Sequence, residues 1–186
     1  MPIVAFTVLG WFILWSGWWT ALPTAAAPSP EPINIVVTIP VLKDLAEHVG
    51  GSYVRVTSLL KGYENEHTYS PKPSDLVAVR NAQLLFEVGL GLEVWVAGLV
   101  KSAGRPSLTI VTTSRGIALI SDGHQADPIH DDHAPGNPHV WMDPENVATM
   151  MRHVTEGLVQ ADPAHAEEFR RNQAAYLNRL DHLRAE

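Results

Sequence analysis

I-N-I-V-V-T-I-P-V-L-K-D-L-A-E-H-V-G-G, residues 33–51, is the stretch on which the reading of the fold turns. Residues 33–39 are β-branched and apolar nearly throughout. A run of that length without polar alternation fits a parallel strand covered on both faces. Pro40 ends it. Residues 41–49 then put Val41, Leu42, Leu45 and Val49 at helical spacing, and Gly50-Gly51 closes that helix. A buried strand running straight into an amphipathic helix is the first half of a β-α-β unit.

The pattern continues outward from there. Residues 53–60 alternate as a second strand, Ser74-Asp75 can cap a helix carrying Leu76, Val77 and Val79, and residues 84–88 form a third short strand. Gly89-Leu90-Gly91 turns into a helix over 92–101, and residues 108–112 and 117–120 are further strand candidates. Asp143 caps a helix with Pro144 in its first turn, whose buried stripe is Val147, Met150, Met151, Val154 and Leu158. Asp162-Pro163 opens a last helix by the same device. Phe169, Tyr176, Leu180 and Leu183 form one narrow stripe along it, so it is mostly solvated, and from 163 to 186 it is roughly 36 Å long. The predicted class is α/β, a mostly parallel sheet with flanking helices, followed by a long helix. Such sheets take ligands at the loops beyond the carboxyl ends of their strands. Residues 64–75, E-N-E-H-T-Y-S-P-K-P-S-D, form such a loop.

Of the 186 residues, 46% are hydrophobic, enough to bury a core. The net charge of −7 without a Lys/Arg cluster argues against nucleic acid and for a cationic or neutral ligand. Residues 1–27 carry no charge and end in Ala25-Ala26-Ala27, the small-x-small pattern of a signal peptidase site. The expectation is an exported chain with a cleaved signal peptide. The apolar run is also long enough for an uncleaved membrane anchor. With no cysteine there is no disulfide framework and no thiol to carry a lipid, which points to a periplasm. Residues 28–32, P-S-P-E-P, make a stiff linker, residues 33–161 a lobe, and residues 163–186 the start of a helix whose pattern reaches Glu186 without a stop signal. The chain is therefore expected to be an amino-terminal piece of a two-lobe protein.

Nine histidines are where the chemistry concentrates. His48, His153, His165 and His182 sit in helical patterns and have ordinary surface or helix-end readings. His124, His130 and His133 lie in a polar, aspartate-bearing stretch, either an auxiliary metal-collecting loop or a solvated acidic one. His67 and His139 stand in loops stiffened by proline, with Pro71 and Pro73 beside the first and Pro138 and Pro144 around the second. Rigid loops suit pre-organised ligands, and imidazole is the commonest metal ligand among side chains. From composition alone both can equally be loop-packing residues. Glu66 reads as a solvated turn residue or an outer partner of the site, and Trp95 and Trp141 as core or cleft-wall aromatics.

E-H-T-Y-S-P-K-P-S-D, then N-A-Q-L-L-F-E-V-G-L-G-L-E-V-W, then N-P-H-V-W-M-D-P, in this order, resemble the zinc/manganese solute-binding proteins of ABC metal-uptake systems, over residues 33–186. The resemblance implies two α/β lobes joined by a long helix, with a divalent ion held between them. Motif match assigns His67 and His139 as the two ligands of the amino-terminal lobe. The family's other two ligands have no counterpart here. The resemblance implies Zn²⁺, with Mn²⁺ second, as the transported ion, an ABC permease in the inner membrane as partner, a monomeric state and no enzymatic activity. The alternatives are a surface adhesion module and a zinc hydrolase. No H-E-x-x-H or similar set is present for the latter.

Overall fold

The structure, a computed structural model, describes residues 31–119 and 136–185, with side chains described up to His182. Residues 1–27, the stretch expected to be a signal peptide, and His124, His130 and His133 lie outside the described residues. The elements run β1 (Ile33–Val37), α1 (Pro40–Gly50), a 3-10 turn (Gly51–Tyr53), β2 (Val54–Ser58), α2 (Pro73–Asn81), β3 (Leu84–Glu87), α3 (Val96–Ser102), β4 (Thr109–Thr112), a 3-10 turn (Val140–Met142), α4 (Pro144–Ala161), a 3-10 turn (Pro163–His165) and α5 (Ala166–Ala185).

All strand pairs are parallel and the order is β2-β1-β3-β4. Ile35 lies opposite Val56 on one side and Leu84 on the other. That central position explains why residues 33–39 lack polar alternation: Ile35, Val36 and Val37 are all but inaccessible. The chain steps from β1 outward to β2, then back past β1 to β3. Right-handed crossovers in opposite directions put α1 and α2 on opposite faces of the sheet. Accordingly α1, α4 and α5 pack on one another, while α2 packs with α3. The reversal makes β1 a switch point, where the loops leaving the strand ends diverge and leave a crevice.

The predicted class and the α4 stripe are observed, with Val147, Met150, Met151, Val154 and Leu158 buried and Asp143 Oδ1 accepting from the Glu145 amide at 2.8 Å. The α5 stripe is observed over Phe169, Tyr176 and Leu180, the side chain of Leu183 lying outside the described residues. Phe169 is fully buried, Tyr176 and Leu180 are half-buried, and Asn172 Nδ2 donates to Val49 O at 2.9 Å. Local corrections have identifiable causes. Of the strand expected over 117–120, residue 120 lies outside the described residues and 117–119 form no strand, because the chain turns at Gly116 (φ 77°) after Thr113 N and Ser114 N have bonded back to Glu87 O and Val88 O. Tyr53 belongs to the 3-10 turn, so β2 is shorter than residues 53–60. Ser74-Asp75 is not the cap of α2. The helix starts after Lys72, and Asp75 sits at its third position, where its carboxylate accepts the Lys72 amide at 2.7 Å.

The helix expected over 92–101 begins only at Val96, because G-L-G-L-E, residues 89–93, is built for another purpose. Gly89, Leu90 and Gly91 all have positive φ, at 85°, 60° and 76°. A Cβ on Gly89 would stand 2.3 Å from Thr112 Cγ2, so only glycine fits. The turn swings buried Glu93 back under the strand ends. There its carboxylate accepts from Thr38 Oγ1 at 2.6 Å and from the Val88 and Gly89 amides at 2.9 Å each. One side chain thus clasps the ends of β1 and β3.

Glu87, at the end of β3, is a half-buried acid. Burial pushes its carboxyl above the usual range, and the Thr112 hydroxyl bonded to it at 2.9 Å offsets this only in part. The folded value then exceeds the unfolded one, so the folded chain holds the proton more tightly. The associated stability is fully present below the unfolded value, about 4.3, and is lost as pH rises through the raised folded value. Glu87→Gln keeps an acceptor for Thr112 and removes the half-buried charge. The variant is expected to be more stable than the parent at neutral pH, with the difference vanishing near pH ~4. Urea unfolding at the two pH values measures it.

Candidate metal centre

Residues 61–72, between β2 and α2, cross the carboxyl end of the sheet without regular structure, and short polar bonds hold them in place. Glu64 Oε2 accepts the Lys61 amide at 2.7 Å, which holds its carboxyl below the usual range. Asn65 Oδ1 accepts the amides of His67 and Thr68 at 2.9 and 3.2 Å, an Asx turn that sets the His67 backbone. Tyr69 is buried. Its hydroxyl donates to Asp75 Oδ2 at 2.7 Å, and burial with that carboxylate pushes the phenol well above its usual range. Trp95, from the loop after β3, stands edge-on to Tyr69 with ring centroids 5.0 Å apart, and its indole N–H donates to Glu66 O at 2.8 Å. The site loop is thereby pinned to the end of β3.

The second loop leads into α4. Asn137 Oδ1 accepts the His139 amide at 2.9 Å and lies 2.6 Å from His139 Nδ1. Trp141 meets the His139 ring edge-on, with centroids 5.2 Å apart.

The two loops bring His67 and His139 together, with ring centroids 5.4 Å apart and planes at 63°. Glu66 joins them. One donor atom each from Glu66, His67 and His139 lie within 4.8 Å of one another, and all three residues are half-buried. His139 Nε2 is 3.2 Å from Glu66 Oε1. Donors each 2.0–2.1 Å from a tetrahedral ion are roughly 3.3 Å apart, so this pair already has the spacing of one coordination edge. Among the described residues this is the one group of three or more histidine or acidic side chains so arranged.

The electrostatics favour a cation. His139 has an acceptor on each side, Asn137 Oδ1 at Nδ1 and the Glu66 carboxylate at Nε2. A neutral imidazole carries one N–H and can satisfy one of them. A metal ion at one nitrogen, with the proton on the other, satisfies both.

Glu66 is the residue that sequence reasoning undervalued. Its side chain is 23% exposed and faces His139, so it does not stand free in solvent as a turn residue would. A usable signal was present in N-x-H, which occurs as Asn65-Glu66-His67 and as Asn137-Pro138-His139. Of the four other described histidines, three serve the scaffold, His48 bonding Asp44 O, His153 bonding Thr113 O and His165 stacking on Tyr53 with centroids 3.9 Å apart, and His182 is exposed on α5.

Residues 35–186 match the family model described as zinc-uptake complex component A, periplasmic. The iron-binding protein YfeA of Yersinia pestis is 32% identical over 170 residues, covering 88% of this chain and 52% of that protein. The manganese-binding lipoprotein MntA of Halalkalibacterium halodurans is 31% identical over 160 residues, covering 86% and 50%. The chain thus spans about half the length of the curated relatives it matches. Among solved structures, a crystal structure of ZnuA superposes with a TM-score of 0.71 at 28% identity, over 82% of this chain and 56% of that one.

Proposed function

Because this chain belongs to the family of the periplasmic component A of zinc-uptake complexes, we propose that it captures a divalent transition-metal ion outside the cytoplasm and delivers it to an ABC permease in the inner membrane. Zn²⁺ is the preferred cargo and Mn²⁺ the second. The observation that carries this reading is the cluster of Glu66, His67 and His139, with its 3.2 Å Nε2–Oε1 edge. His67 and His139 would each give a neutral imidazole nitrogen. Glu66 would give one carboxylate oxygen and half the charge of the ion.

Mixed nitrogen and oxygen donors are compatible with either ion, and intrinsic affinity runs higher for zinc than for manganese. Residues 33–161 are the lobe that carries these donors, and α5 continues from it as the joining helix. Neither the adhesion reading nor the hydrolase reading gains support from the family or from the site. Among the described residues no helix is long and apolar enough to cross a membrane.

Calorimetric titration of Zn²⁺ and Mn²⁺ into the full chain tests the proposal. Zinc is expected to bind with one-to-one stoichiometry and more tightly than manganese. Affinity should weaken on acidification, because protons compete for the imidazole lone pairs. Absence of saturable binding of either ion would overturn it.

A further inference from the structure

Asn137 is tied twice to one residue. Its Oδ1 accepts the His139 backbone amide at 2.9 Å and lies 2.6 Å from Nδ1 of the same residue's ring. The first bond determines which end of the amide group faces the histidine. A backbone N–H only donates, so the atom it meets must be the Asn137 oxygen rather than its NH₂. That oxygen has no hydrogen to give, so the 2.6 Å contact to Nδ1 is favourable only when Nδ1 carries the proton.

Opposite it stands Glu66, whose Oε1 is 3.2 Å from Nε2. A carboxylate is the stronger acceptor and by itself would draw the single proton of a neutral ring onto Nε2, the nitrogen that faces His67 and the cluster. Two acceptors therefore compete for one proton. The nearer is part of the His139 loop itself, held by a backbone bond.

We propose that Asn137 is the positioning residue of this site, holding neutral His139 as the Nδ1–H tautomer against the pull of Glu66, so that the Nε2 lone pair is free for the ion. This rests on the reading of His139 as a ligand. Asn65 does not repeat the arrangement. It accepts only the backbone amides of His67 and Thr68, and among the described residues no hydrogen bond reaches a ring nitrogen of His67. The two ligands are thus unequally prepared, His139 with its proton already placed and His67 with its ring unassigned.

The test is ¹⁵N NMR of the metal-free full chain, labelled at histidine, at a pH alkaline enough for neutral rings, with His139→Ala identifying the signal. His139 is expected as Nδ1–H in the parent and in Asn137→Asp, which keeps an oxygen acceptor. In Asn137→Ala the proton should move to Nε2, onto Glu66. Zinc affinity, titrated in parallel, should fall about 10- to 100-fold in Asn137→Ala and be retained in Asn137→Asp. Parent His139 found as Nε2–H, or an unchanged tautomer in Asn137→Ala, would overturn the proposal. If Asn137→Ala does not fold, the parent tautomer decides by itself. A parent that binds no zinc yet shows the Nδ1–H tautomer removes the metal reading and leaves the lock standing.

Discussion

Zinc binding at one-to-one stoichiometry is expected to disappear when His67 and His139 are both replaced by alanine, with affinity falling by more than about 100-fold. The loss of a single outer partner of a metal ligand already costs 10- to 100-fold. The double variant removes two of three donors and leaves Glu66 alone in the cluster. The fold should be nearly indifferent. Both rings are half-buried, and the bonds that fix their loops are made by Asn65, Asn137, Tyr69 and Trp95 to backbone or to other side chains. Thermal unfolding of the variant should therefore track the parent, within the roughly 0.5 kcal/mol usual for surface substitutions. Calorimetry of parent and variant side by side separates the two readings of the histidines. Binding that survives the double substitution would shift the site to His124, His130 and His133, and the pair at the sheet end would be loop-packing residues.

The unequal legibility of fold and site has a physical basis. Residues 33–39 announce themselves because β1 is flanked on both sides and covered on both faces, so nearly every position is apolar. The α4 stripe is legible for the corresponding reason at helical period. His67 and His139 stood out as imidazoles in proline-stiffened loops, but pairing them required the family resemblance. No local pattern says that a loop after β2 and a loop before α4 meet. Glu66 shows the limit most clearly. A glutamate beside a histidine in a polar loop has the composition of a solvated turn, and only the Trp95 bond to its carbonyl and the turn at Asn65 aim its carboxylate at His139. G-L-G-L-E misled in the other direction. Two glycines followed by apolar residues resemble a helix start, whereas the positive φ run from Gly89 to Gly91 serves to bring Glu93 inward.

That inward glutamate is the largest stability effect predicted for the scaffold beneath the site. Glu93→Gln is nearly isosteric, yet it cannot satisfy the same partners. One carboxylate oxygen meets the Val88 amide and the Thr38 hydroxyl, and the other meets the Gly89 amide. Whichever way the carboxamide turns, its NH₂ faces a backbone N–H, and one buried donor is left without an acceptor. The cost is about 1–3 kcal/mol. Glu93→Ala strands both amides and opens a cavity at a residue only 5% exposed, so about 3–5 kcal/mol is expected, a large part of the 5–15 kcal/mol typical of a domain. Burial works in the opposite direction. It pushes the Glu93 carboxyl upward more than its three donors pull it down, so relief from a buried charge at neutral pH offsets part of each loss. Guanidinium unfolding at neutral pH orders the three proteins, parent above Gln above Ala. A Gln variant as stable as the parent would mean that the clasp is held by packing rather than by its acceptors. Because Trp95 lies two residues beyond Glu93 and holds Glu66 O, loosening the clasp should also weaken zinc binding in both variants, although neither touches a donor atom.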